Sequence, residues 1–145
     1  MPTAPTYVYA TRDDLDALLS TVGVDNRADD DAGGSLSATE TGYITSARYW
    51  ATARINMYAL GRYEASDLYT SWVVNNWCVV LACHWLSCRR GNPPPGSFDS
   101  LKDEVMEDLK ALKAGEVDLP EIGLRNAAWP GWSNVRVDTL NRLRK

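Results

Sequence analysis

Two short stretches hold residues whose types and spacing suit chemistry. The first contains Cys83, His84 and Cys88. On a helix, His84 and Cys88 share a face at i and i+4, a spacing that suits a metal pair. A closed zinc site needs four ligands, and no CxxC pair or second histidine accompanies them. As nucleophile and base, Cys83 and His84 fail on direction, because adjacent helical side chains point about 100° apart. The expectation is a polar group satisfied in a core or at a subunit contact, with no metal and no cofactor.

The second stretch is acidic. With Asp29 at position one of a calcium loop, Asp31 stands at three, Gly34 at six, Leu36 at eight and Glu40 at twelve. Gly33 at position five removes a ligand. Glu40 also closes Ser37-Ala38-Thr39-Glu40, a capping box that marks a helix start. A solvated loop over residues 24–35 is the expectation, with calcium as the alternative reading of residues 25–34.

Beyond these stretches, no Gly-rich phosphate loop and no Ser/His/Asp set appears. With a single histidine, acid–base catalysis would rest on carboxylates or lysine, and nothing in the sequence singles one out. An enzyme is not expected.

The elements that position these residues read as helices. Thr11 is a good N-cap, with Asp13 and Asp14 in the favoured first turn and Leu15, Leu18 and Leu19 as a short apolar face. Val22-Gly23 should end that helix. After the capping box, Tyr43, Ile44, Ala47, Trp50, Ala51, Ile55 and Tyr58 recur at three- and four-residue steps, and Gly61 should stop the chain there. A third helix is expected from Ser66 to Arg90, halted by Gly91 and Pro93-Pro94-Pro95. It is apolar almost all round, so it should be the most buried. Ser97 or Ser100 should cap a fourth, with Phe98, Leu101, Val105, Leu109 and Leu112 as its stripe and Gly115 as its end.

The sequence therefore predicts an all-α bundle of about four helices over residues 1–118, with an extended C-terminal arm over 119–145. At 145 residues, one domain is expected. Residues 68–88 carry no charge and are long enough to cross a bilayer, but Asn75, Asn76 and His84 within them favour a buried bundle helix. No membrane is expected as a partner. The first five residues lack a basic start and an apolar run, so no signal peptide is expected. Cys78, Cys83 and Cys88 are spaced by five, which separates neighbours by about 140° on one helix and prevents bridging.

Charge divides the chain unevenly. Residues 1–124 carry 10 basic against 18 acidic side chains, and residues 125–145 carry 5 against 1. The net charge of −4 argues against a whole surface built for nucleic acid. The basic arm also holds apolar anchors: Trp129, Trp132, Val135, Val137, Leu140 and Leu143. A solubilising tail needs none of these. Val135–Val137 has a strand pattern, and Thr139–Lys145 suits a last helical turn or two. The candidate partner-binding residues are Trp129, Trp132, Arg125, Arg136, Arg142, Arg144 and Lys145, which together suit docking or self-assembly.

The order of the pieces resembles a known family. Tyr9-Ala10-Thr11 before Asp14-Leu15 opens a short helix. An Asp/Gly-rich loop leads to a long helix closing in Gly61-Arg62-Tyr63. A Cys-bearing apolar helix follows, and the last helix ends Leu109-Lys110-Ala111-Leu112-Lys113-Ala114-Gly115-Glu116-Val117, then Leu119-Pro120. This is similar to the head–tail adaptor, or neck, proteins of tailed bacteriophages, especially the Mu-like branch, over residues 7–120. The resemblance implies a helical bundle that assembles with copies of itself into a ring, commonly dodecameric, beneath the portal protein. Such a ring extends the DNA channel and connects the capsid to a stopper or tail-completion protein. Genomic DNA would pass through it without specific binding. The implied location is the virion neck, and the host cytoplasm during assembly. No catalytic residue is implied. The triple proline and the Trp-rich basic arm depart from the usual pattern. A small helical DNA-binding or regulatory protein is the alternative function.

Overall fold

The computed structural model describes residues 3–89 and 96–122. Six helices fill them: α1 (Arg12–Leu19), α2 (Thr21–Ala28), α3 (Ala38–Ala59), α4 (Ala65–Thr70), α5 (Trp72–Cys88) and α6 (Gly96–Ala114). No strand occurs among the described residues. The all-α expectation holds, with α3, α5 and α6 as the frame and α1, α2 and α4 packed around it.

Two local differences raise the helix number above four. The first lies at Ser20, whose φ of 66° breaks the chain between α1 and α2. Its hydroxyl accepts the Gly23 N–H at 3.2 Å and so caps a new helix where a loop was expected. Val24 and Ala28, four residues apart, face the core fully buried. Gly23 suits this close turn, because a Cβ there would lie 3.3 Å from the Ser20 hydroxyl. The second difference lies at Ser71, extended at ψ 123°. It ends α4 and caps α5, its hydroxyl accepting the Val74 N–H at 3.3 Å.

Other helix limits follow the sequence closely. Thr11 with Asp14, and Ser37 with Glu40, both form complete capping boxes. Gly115 takes φ 82°, and Gly115 N–H to Leu112 O and Glu116 N–H to Ala111 O close α6 as a Schellman motif. α6 begins at Gly96, ahead of both serines expected to cap it.

α5 lies at the centre and touches α1, α2, α3, α4 and α6. Val74, Cys78, Leu81, Ala82, Cys83 and Leu86 are buried along it. Against them α3 sets Ile44, Ala47, Ala51 and Ile55, and α6 sets Val105, Leu109 and Leu112. Small alanines on α3 let its backbone approach α5 closely. No helix of the described residues is long and apolar enough to cross a membrane. All three cysteines are free.

Candidate functional site

Each of the seven candidate partner-binding residues, Arg125, Trp129, Trp132, Arg136, Arg142, Arg144 and Lys145, lies outside the described residues. So do the strand pattern at Val135–Val137 and the triple proline. The structure does describe the root from which that segment leaves.

The root is built from the end of α3. Arg62 follows the helix and points its guanidinium at the end of α6. It donates to Leu112 O at 2.6 Å and Val117 O at 3.0 Å, and pairs with Asp118 at 2.5 Å. Leu112 O lies in the last turn of α6, where carbonyls lack an i+4 partner and a cation suits the negative end of the dipole; Val117 O lies just beyond it. Tyr63 is fully buried, and its hydroxyl accepts the Leu119 N–H at 2.9 Å. Leu119, the first residue of the expected arm, is itself buried in the core. The chain is thus held to the body through Leu119.

A second constellation surrounds the acidic loop. Asp29, Asp31 and Glu40 each offer an oxygen within 4.8 Å of the others. Asp29 is 8 % exposed and Glu40 6 %, so the loop is not merely solvated. Their oxygens accept backbone N–H groups. Asp29 takes those of Asp31 (3.0 Å), Ala32 (2.7 Å) and Gly34 (3.4 Å). Glu40 takes those of Asp30 (2.6 Å) and Ser37 (2.8 Å). Desolvation pushes the Asp29 carboxyl up, but the three N–H groups outweigh it and hold it below the usual range. Glu40 is held low chiefly by the Asp30 N–H, with Ser37 adding to it. These three side chains are the ones that would hold a hard cation such as calcium, in oxygen-only coordination. The donors they already accept show what each carboxylate does for the fold without one.

Arg89 closes this loop from the end of α5. It donates to Ala28 O at 2.9 Å, pairs with Asp30 at 2.5 Å, and stacks 4.0 Å from the Tyr43 ring centroid. One side chain thereby caps α2, fixes the loop and joins α3 to α5.

The third constellation is the cysteine–histidine pair. His84 Nε2 lies 2.9 Å from Asp99 on α6. The Cys88 sulfur is 3.8 Å from Nδ1 and 3.7 Å from Nε2. Nearly equal distances place the sulfur on the lone-pair axis of neither nitrogen, so the geometry does not activate a thiolate. Burial, and the Asp99 charge after it, push the Cys88 thiol up, against what a nucleophile needs. Cys78 is raised to about 11 and Cys83 to about 12, both chiefly by burial. Asp99 was not legible in advance, because only the packing of α6 on α5 brings it to His84. Arg62 and Arg89 carried more signal: each follows a helix end, where a cation has carbonyls to bind.

The class of protein so defined is a small all-helical bundle bound together at its helix ends by arginines, with a basic, tryptophan-bearing C-terminal sequence. The chain matches the family described as Bacteriophage Mu, Gp36 over residues 9–130, and it belongs to that family. It is a phage protein of the Mu-like type. No curated protein and no solved structure matches it.

Proposed function

We propose that this chain is a head–tail adaptor of a Mu-like phage virion. Copies assemble as a ring under the portal, extend the DNA channel and connect the capsid to the stopper or tail-completion protein. The C-terminal segment grips a protein partner. The observation that carries this reading is membership of the Mu Gp36 family across residues 9–130. That span takes in the body, the root at Leu119 and the first arm tryptophan, Trp129. Two further features support it. An acidic body repels DNA passing beside it, as a channel wall should. A basic, aromatic segment leaving from a fixed root has the make-up of a docking element.

The alternative, a DNA-binding or regulatory protein, finds less support in the described residues. Arg12, Arg62 and Arg89 are all engaged in ion pairs with the body's own carboxylates. Cations so engaged have little left for phosphate.

Localisation in purified phage particles tests the proposal. Antibody labelling should mark the neck, and particles made without the chain should hold DNA but carry no tail. A chain cut after Ile122 keeps the root and should fail to join the particle. Labelling elsewhere, or tailed particles without the chain, would overturn the reading. Duplex DNA binding with sequence preference and a steep salt dependence would favour the alternative.

A further inference from the structure

Arg54 is a body cation that forms no ion pair among the described residues. It sits on α3, away from the stripe formed by Ile44, Ala47, Ala51 and Ile55. Its Nε is buried and has no hydrogen-bond partner. No carboxylate among the described residues pairs with it, in contrast to Arg12, Arg62 and Arg89. Arg54 as a whole is half-buried, so the outer part of its side chain stays within reach of a neighbouring molecule. Its neighbours along the helix are Trp50, one turn before, and Met57, three residues on. Trp50 is 39 % exposed and Met57 67 %. Trp, Arg and Met on one exposed helical stripe are the residue types enriched in protein interfaces.

The same chain holds a matching stripe. On α6, Leu101, Glu104 and Asp108 follow one another at i, i+3 and i+7, which places them on one face. All three are exposed, Leu101 at 38 %. Neither Glu104 nor Asp108 forms an ion pair among the described residues, and Glu107 stands beside them equally unpaired. One stripe therefore offers an arginine between two apolar groups, and the other offers carboxylates beside one apolar group.

We propose that the Trp50–Arg54–Met57 stripe of one copy receives the Leu101–Glu104–Asp108 stripe of a second copy. The Arg54 guanidinium bridges Glu104 and Asp108, one helical turn apart, and with the two helices antiparallel Leu101 packs against Met57. A planar guanidinium with several fixed donors suits two carboxylates better than an ammonium would. The two stripes are different surfaces of one chain, so the contact is head-to-tail and propagates to a ring or a filament. The inference rests on the reading of the chain as a ring-former and names that ring's two surfaces.

Charge reversal tests it, with self-association of the full chain followed by sedimentation across a concentration series. Arg54→Glu alone, and Glu104→Arg with Asp108→Arg, should each weaken association by about tenfold or more. All three together should return it to within about threefold of the unaltered chain. Glu104 and Asp108 are exposed and unpaired, so their reversal leaves the fold intact even if Arg54→Glu does not. A chain with Met57→Cys and Leu101→Cys should form cross-links between copies. A full chain that stays monomeric throughout overturns the contact. So does association unchanged by Glu104→Arg with Asp108→Arg, as when the chain's own C-terminal segment covers Arg54. Labelling of the phage neck, measured separately, would still stand or fall by itself.

Discussion

The Tyr63 hydroxyl accepts the backbone N–H of Leu119 at 2.9 Å across 56 residues of chain, inside the core. A side chain at the end of one helix thereby fixes where the C-terminal segment begins. Replacing Tyr63 with Phe keeps the ring and removes the acceptor. The buried N–H is then unsatisfied, which should cost about 1–2 kcal/mol in denaturant unfolding. An unfolding midpoint equal to that of the unaltered protein would show that the bond contributes nothing.

Arg62 should matter to the same corner by another route. Its guanidinium serves Leu112 O, Val117 O and Asp118 together. Arg62→Ala should lower stability by about 2 kcal/mol, counting the lost charge-assisted bonds at a partly exposed site. Hydrogen exchange should quicken at Gly115 and Glu116, whose N–H groups close α6. Exchange unchanged there would sink the capping role.

Stability should fall in acid through the loop. Asp29 and Glu40 have folded-state values held below their ordinary ones, by backbone N–H groups that outweigh desolvation. A lowered carboxylate contributes stability above its unfolded value, about 3.9 for Asp and 4.3 for Glu, and loses it as pH drops through the folded value. The unaltered protein should therefore weaken below about pH 4. Asp29→Asn and Glu40→Gln should each flatten that slope, read from thermal midpoints at stepped pH. A slope preserved in both variants would assign it to other groups.

The thiols should differ in reactivity. At pH 8 a thiol raised to about 11, as in Cys78, is ionised to roughly one part in a thousand. Cys83, raised to about 12, is lower still. Iodoacetamide should spare both in the native protein and modify the half-buried Cys88 first, as mass spectrometry of the digested protein would show. All three should react in denaturant. Early modification of Cys83 would mean that α5 is less enclosed than its packing indicates.

Much of this architecture was legible in the sequence, for reasons that differ by residue. The N-cap at Thr11, the capping box at Ser37 and the stop at Gly115 act through neighbours five or fewer residues away, so short patterns reveal them. The α5 helix showed itself by apolarity on every side. Helix α2 stayed hidden because Gly23, Asp25 and Asn26 have loop character, and only burial of Val24 and Ala28 decides for helix. The break at Ser71 was hidden too, since nothing nearby in sequence forces it. The calcium-like spacing of Asp29, Asp31 and Glu40 did bring those carboxylates together. Their partners proved to be amides of the same loop, which spacing alone does not show. The pairing of His84 with Asp99, and the burial of the Arg54 Nε without an acceptor, depend on packing between helices far apart in sequence.

The root at Tyr63 and Leu119 also sets how the molecule bears force. A pull on the segment beyond Ile122 meets the Leu119 N–H and the Arg62 bonds before it reaches the last turn of α6. Tension passes sideways into the end of α3, the longest helix, 22 residues anchored along the core. The bonds at Leu119 and Arg62 therefore stand between that segment and the end of α6.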